Sequence, residues 1–385
     1  MTQVTDHRGG VWSVSVPIPG NPLGHTLVHL LETDRGPVLI DTGWDDPAAW
    51  SALTGGIAAC GFTVADIHGV LLTHHHPDHH GLSAAVRDAS GAWIAMHEAD
   101  ADVVRRTRAA RPAAWRARLA AKLAAAGAPE EHLAPLRTAR GGELPGQRAA
   151  VPDRHIAPGE LLDLPGRRLR AIWTPGHTPG HVCLHLEEAH PGRAVGVAGG
   201  GPGVPPDGGP GTTGGGHGTA GGGHGTAGGG HGTAGGGPGA GFGRLFSGDH
   251  LLPGISPHIG VYEEAGEAPG DPLGDYLASL ERVARLAPAE VLPAHQHPFT
   301  DAAGRARALL DHHEARLDGL VRLLARPRTL WQLTVAMEWN RPWERIPYVS
   351  RNIAVAEAEA HLRRLLVRGR AVAVAGSDPV TYRAV

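Results

Sequence analysis

The chain has 385 residues, of which 41% are hydrophobic and 19% charged, and its formal net charge is −3. That length allows two or three domains, and no run approaches the roughly 18 apolar residues of a membrane-spanning helix. Two cysteines, Cys60 and Cys183, exclude a disulfide framework, and residues 1–8 lack an apolar leader, so a cytoplasmic protein with no membrane partner is expected.

In chain order, short or alternating apolar runs predict strands at residues 11–16, 26–31, 38–41 and 70–73. A helix over 47–59, capped by Asp46, separates the last two. A helix over 80–88, a strand over 92–96 and one long Ala/Arg helix over 99–126 follow. Strands near 170–173, 182–186, 244–247 and 291–293 then alternate with helical patterns over 273–287 and 302–325. Elements mixed in this way predict an α/β (α+β) protein with two sheets or one mixed sheet.

Residues 199–241 stand apart, because 24 of the 43 are Gly and the heptad GGGHGTA occurs at 214–220, 221–227 and 228–234. So few apolar side chains cannot offset the entropy of ordering, and a disordered insertion in a hairpin connection is expected. Its His217, His224 and His231 would bind stray metal only weakly. Residues 304–385 differ in charge, with 14 Arg against 8 acidic residues. Helical patterns up to 325, over 329–338 and over 354–367 precede a hairpin of 370–375 with 380–383, which predicts a winged-helix-like domain over 304–385. The organisation expected is a larger domain over 1–300, interrupted at 199–241, followed by this smaller one.

The chemistry is concentrated in residues 73–81, THHHPDHHG. Where a buried strand ends, alternate residues emerge on one side, so His74 and His76 would address one metal, and Asp78 with His79, beyond Pro77, a second. Imidazole and carboxylate without thiolate suit zinc, with iron or manganese as alternatives. Three further polar loops follow apolar strands. Residues 174–181 hold two Pro and two Gly, which forbid a helix and present His177 and His181. Asp249 follows Gly248, which permits close backbone approach, and His295 follows the strand ending near 293.

Together these loops resemble the metallo-β-lactamase superfamily over roughly residues 11–300, the insertion excluded. Its H-x-H-x-D-H motif stands here as His74 to His79. The resemblance implies an αββα sandwich and a hydrolase with two divalent metal ions as cofactors. By position, His74, His76 and His177 would hold one ion and Asp78, His79 and His295 the other, with Asp249 and a hydroxide bridging them. Asp78 and Asp249 would be the catalytic carboxylates. Asp41, in an Asp-Thr-Gly turn, and His181 would support the ligands from behind. His75, His80, His250 and His297 match no ligand position, and His258 is a candidate substrate contact.

The resemblance favours a small-molecule ester or thioester of hydroxyacyl-thioester or lactone type. The basic stretch within 99–126 could cap the metals and draw in an anionic substrate. The C-terminal unit is similar to the winged helix of a subgroup that includes endoribonucleases. A metal-dependent endoribonuclease or phosphodiesterase acting on nucleic acid is therefore the alternative, and a non-catalytic metal-binding protein the third reading.

Overall fold

A computed structural model describes residues 3–189, 242–262 and 270–385, apart from the side chain of Val349. The Gly/His repeat, with the expectation of disorder placed on it, lies outside the described residues.

The first sheet runs in chain order through β1 (Val4–Asp6), β2 (Val11–Pro17), β3 (His25–Thr33), β4 (Gly36–Ile40), β5 (Gly69–Leu71), β6 (Trp93–Met96) and β7 (Arg154–His155). β1 to β4 form an antiparallel meander. From β4 onward neighbours are parallel, because each connection contains helix. These are α1 (Pro47–Ala59), then α2 (Pro77–His80) and α3 (Ser83–Ser90), then α4 (Glu98–Ala109), α5 (Pro112–Ala125) and α6 (Glu130–Thr138). The side chain of Asp46 accepts from the Ala48 N–H at 2.7 Å and caps α1 as its residue type predicts.

The second sheet contains β8 (Leu169–Trp173), β9 (Val182–Leu186), β10 (Arg244–Gly248) and β11 (Glu290–Pro293), in the order β11-β10-β9-β8. β9 and β10, which flank the repeat, pair antiparallel with Leu186 opposite Arg244. After α7 (Pro272–Leu286), β11 lies parallel to β10.

Side-chain alternation turns these sheets into layers. Val38 and Ile40 of β4 face Leu169, Leu184 and Phe246 of the second sheet. Leu39 between them packs instead with Leu53 and Ile57 of α1 and Val86 of α3. In the second sheet Leu184 points inward while Cys183, Leu245 and Val291 point outward, onto Leu273, Tyr276 and Leu280 of α7. A period of two thus gives each sheet one face for the other sheet and one for helices, the αββα arrangement.

Beyond β11 come α8 (Ala302–Leu323), β12 (Arg328–Thr329), α9 (Leu330–Ala336), α10 (Arg351–Val367), β13 (Ala371–Ala373) and β14 (Thr381–Ala384). The three strands form a sheet ordered β12-β14-β13. Packing does not stop at residues 300–304: Leu309, Leu317, Leu362 and Leu365 belong to the same buried cluster as Leu280 and Val291.

Two helix expectations are corrected. The stretch over 99–126 is two helices, because Pro112 forbids an αR conformation before it; Arg111 is extended at φ −82°, ψ 125°. The helix expected over 80–88 is the short α2 followed by α3, with Leu82 leaving helical geometry at ψ 3° between them.

Candidate metal centre

Every loop singled out in the sequence leaves the C-terminal end of a strand at the same edge of the sandwich. β5 leads into His74–His79, β8 into the loop of His177, β10 into Asp249 and β11 into His295. The backbone fastens the first loop to its neighbours. The carbonyl of His79 accepts from the Thr42 N–H at 2.6 Å and from the Thr42 hydroxyl at 3.0 Å. The carbonyl of Asp78 accepts from the Thr26 hydroxyl at 2.9 Å.

Three imidazoles converge first. His74 Nε2 lies 3.0 Å from His76 Nδ1 and 3.2 Å from His177 Nε2. The outer nitrogens fix where the protons sit. His177 Nδ1 donates to the His258 carbonyl at 2.5 Å. The Thr73 hydroxyl is spent as a donor on Asp41, so it accepts from His74 Nδ1 at 3.0 Å. His76 Nε2 sits 2.6 Å from the Tyr262 hydroxyl. The inner nitrogens of His74 and His177 are thereby left as lone pairs, directed at each other and, from His74, at His76 Nδ1. Burial, and then the neighbouring imidazoles, hold His74 and His76 well below the usual histidine range. Burial is also the main cause that lowers His177 to about 4. Three neutral imidazoles turned toward one another form a donor set that suits a cation. Ligands on a tetrahedral zinc at its usual bond length stand about 3.3 Å apart, close to the spacing here.

A second group adjoins the first. His295 Nε2 lies 3.4 Å from Asp78 Oδ2 and 3.3 Å from Asp249 Oδ1, and His79 Nε2 lies 3.4 Å from Asp249 Oδ1. His79 Nδ1 donates to Asp41 at 2.8 Å, and His295 Nδ1 to the His25 carbonyl at 2.9 Å. Burial opposes charge on His79, yet Asp249, Asp78 and Asp41 raise it well above the usual range. His295 is raised in the same way, burial being overcome by Asp249 and Asp78. Nε2 of His79, Nε2 of His295 and Oδ1 of Asp249 are buried without a hydrogen-bond partner. Such orphaned atoms around carboxylates fit a divalent ion. Asp249 faces both groups, since its Oδ2 lies 3.6 Å from His177 Nε2.

The structure therefore brings together all seven expected ligand residues, and Asp41 stands behind them. His181 lies behind the ligand candidates rather than among them: Nδ1 bonds the Thr174 hydroxyl at 2.8 Å, and Nε2 accepts from the Asp249 N–H at 3.2 Å. The remaining histidines spread out. His80 is buried and its Nδ1 donates to the His76 carbonyl, His250 packs against Tyr276, and His297 is exposed. The Nδ1 of His258, the candidate substrate contact, lies 3.3 Å from Glu357 on α10. The basic stretch is only partly a cap. Arg105 pairs with Asp102, and Lys122 with Glu359 at 2.9 Å. Arg106 lines a cavity of about 260 Å³ beside the centre, with Asp102, Gly176, Gly260 and Tyr262.

One residue read as part of that basic helix has a different place. Asp100 is fully buried. It accepts from the His75 N–H at 2.9 Å, the Thr178 hydroxyl at 2.7 Å and the Gly180 N–H at 2.6 Å, and so ties the two histidine loops together.

With this geometry in place, likeness to known proteins is informative. Residues 21–190 match the model of the metallo-beta-lactamase superfamily. The probable metallo-hydrolase YqjP of Bacillus subtilis (strain 168) is 25% identical over 339 residues, 84% of this chain and 83% of that protein. A hydroxyacylglutathione hydrolase of Acidiphilium cryptum (strain JF-5) is 30% identical over 144 residues, 37% of this chain and 40% of that one. Among solved structures, a metallo-beta-lactamase family protein from Thermus thermophilus is 29% identical, with a TM-score of 0.70 over 99% of this chain and 100% of its own. A beta-lactamase domain protein from Burkholderia ambifaria, 24% identical, shares the fold with a TM-score of 0.73 over 99% of this chain and 94% of its own.

Proposed function

We propose that this chain, which belongs to the metallo-beta-lactamase superfamily and is a metal-dependent hydrolase, acts on small esters or thioesters through two divalent cations, zinc in the first instance. His74, His76 and His177 would hold one, Asp78, His79 and His295 the other, and Asp249 would serve both. The observation that carries the reading is the placement of Asp249, whose Oδ2 lies 3.6 Å from a nitrogen of the first group and whose Oδ1 lies 3.3 and 3.4 Å from nitrogens of the second. Bound there, two such cations supply Lewis acidity and acidify a water molecule.

The protein's own groups do the rest. His74, His79 and His295 are fully buried, while His76 and Asp78 are partly open, so substrate approaches from the side of His76 and Asp78. Burial resists ionisation of Asp78, but His79 and His295 hold it below the usual carboxylate range. It is therefore an acceptor that can orient an attacking water through a hydrogen bond to its carboxylate. Asp41, the Thr73 hydroxyl and the carbonyls of His25 and His258 accept from the outward nitrogens of His79, His74, His295 and His177, so these rings need no rotation to present a lone pair.

Ester or thioester substrates are favoured by the carboxylate at position 249 and by the likeness to a hydroxyacylglutathione hydrolase. The nuclease alternative has less support. Arg363, Arg364, Arg368 and Arg370 pair with Glu359, Asp271, Glu314 and Asp318, and Arg316 and Arg351 stack on Trp339 and Trp343. These groups are engaged within the chain rather than presented to phosphates. Two measurements test the proposal. Metal content should be two ions per chain, with or without residues 199–241; metal lost with the repeat would overturn the centre. Against a panel of thioesters, esters, lactones and an RNA oligonucleotide, turnover of an ester or thioester should fall at least roughly 100-fold in Asp249→Ala. Cleavage of RNA alone would replace this reading by the nuclease.

A further inference from the structure

One route from the C-terminal unit to the candidate metal centre runs through a peptide plane. The carboxylate of Glu357, on α10, is 8% exposed. Its Oε2 accepts from the Ile259 N–H at 2.7 Å and lies 3.3 Å from His258 Nδ1. The Ile259 N–H and the His258 carbonyl belong to the same planar amide and point in opposite directions. That carbonyl accepts from His177 Nδ1 at 2.5 Å. One rigid unit therefore has Glu357 at one end and the imidazole of a proposed ligand at the other. We infer that Glu357 is a positioning residue for His177: by gripping the N–H end it fixes the rotation of the amide, and with it the acceptor that turns His177 Nε2 toward His74 and His76.

The surroundings of Glu357 suit this role. On the same helix, His361 Nδ1 donates to the Glu357 carbonyl at 2.8 Å, and His361 Nε2 meets His313 Nδ1 of α8 at 3.1 Å. These bonds brace the turn of α10 that carries the carboxylate. Burial disfavours charge on Glu357, yet His258, His361 and Arg316 hold it well below the usual glutamate range. An ionised acceptor on the N–H of an amide also strengthens its carbonyl as an acceptor. A separate contact, Arg364 to Asp271 at 2.6 Å, docks α10 on the N-cap of α7 without touching His258. It provides the control for a role that is merely structural.

The inference rests on the three-histidine cation site proposed above, so the experiment begins with the unaltered chain. Chelated full-length protein is titrated with cobalt(II) and followed by visible absorption. If no d–d bands develop, the metal reading itself fails, whatever Glu357 does. Given those bands, Glu357→Ala should weaken cobalt at the three-histidine position by about 10–100-fold and alter its bands, while the second position keeps its ion. Glu357→Gln, which still offers an oxygen to the Ile259 N–H, should restore most of the affinity, and Arg364→Ala should leave it unchanged. Unaltered cobalt affinity in Glu357→Ala, or an equal loss in Arg364→Ala, would overturn the inference. Should Glu357→Ala not fold, Glu357→Asp withdraws the carboxylate by one methylene, and unchanged affinity there would overturn it equally.

Discussion

Oδ2 of Asp41 lies 2.8 Å from Nδ1 of His79, and Asp41 holds it there from a left-handed backbone conformation with φ 64°. Few residues other than Gly sit at such a φ, and Asp and Asn do so most readily. The same carboxylate accepts from the Thr73 N–H at 2.8 Å and the Thr73 hydroxyl at 2.9 Å. One side chain at the end of β4 thus sets both the strand that feeds the histidine loop and the ring of a ligand candidate within it.

Replacing Asp41 should separate those two duties. Asp41→Asn tolerates the backbone and keeps an oxygen for His79, but it loses the charge that favours a proton on Nδ1. Metal affinity is expected to fall by about 10–100-fold with little change in stability of the chelated protein. Asp41→Ala leaves three buried donors without an acceptor and is expected to lose at least about 3 kcal/mol as well. Urea unfolding of the chelated variants, beside competition with a metal indicator, measures both; equal behaviour of the two variants would refute the division.

Asp100 provides a second case. It bonds backbone or side chain of His75, Thr178 and Gly180, and burial against ionisation is overcome by His75 and these donors, which lower its pKa. Asp100→Ala should destabilise the chelated protein by roughly 3–5 kcal/mol, as loss of a buried charge partner does, and should loosen both histidine loops. Asp102→Ala, two residues along and half-exposed beside Arg105, should change unfolding by less than about 1 kcal/mol. Denaturant midpoints of the two variants decide it; a small effect at position 100 would mean that the loops hold themselves.

The contrast between these two aspartates shows what could be read from the chain. The ligand candidates were legible because each follows a short apolar strand and sits among Gly and Pro that exclude helix. Their convergence then depended only on strand ends sharing one edge. Asp100 was not legible as a brace, because it lies among Arg105, Arg106 and Arg108 in a stretch that reads as a solvated helix. Helical phase was the available signal: Asp100 shares the buried face of α4 with Ala101 and Val104, whereas Asp102 does not. Glu357 carried the same mark, lying on the buried face of α10 between Ala354 and His361. Polar residues in phase with an apolar stripe are the ones a fold must satisfy internally. Tyr262 had no such signal, since its contact with His76 joins residues far apart in the sequence.

Gly248 tests the close approach expected ahead of Asp249. Its φ is +51°, and a Cβ there would stand 2.7 Å from His181 Nε2 and 2.9 Å from the Thr73 Cβ. Both neighbours belong to the scaffold behind the ligands, and neither has a free end to swing away. Gly248→Ala should therefore combine backbone strain with overpacking, and cost more than about 2 kcal/mol together with metal affinity. Gly61, at φ +89° with open space around its Cβ position, supplies the comparison. Gly61→Ala should cost only the strain, about 1–2 kcal/mol, and leave metal binding intact. If the two variants lose the same stability and both bind metal, the crowding at position 248 has no consequence.

Buried histidines that are not among the proposed ligands make the chelated protein sensitive to acid. Burial, aided by His7 in one case and His361 in the other, lowers His29 and His313 to about 3. In the unfolded chain both return to an ordinary value near 6.5. Between about pH 6.5 and 3 the unfolded state therefore binds protons that the folded state refuses, so stability rises with pH through this window and falls on acidification. Each such group contributes a slope of roughly 1.4 kcal/mol per pH unit. His313→Gln, which cannot take up a proton in either state, should flatten the dependence by about that amount below pH 6 while leaving the slope above pH 7 unchanged. Urea midpoints of the chelated protein from pH 7.5 down to 5 measure the difference. An unaltered slope in His313→Gln would mean that His313 is protonated within the fold, and that burial between α8 and α10 does not keep it neutral.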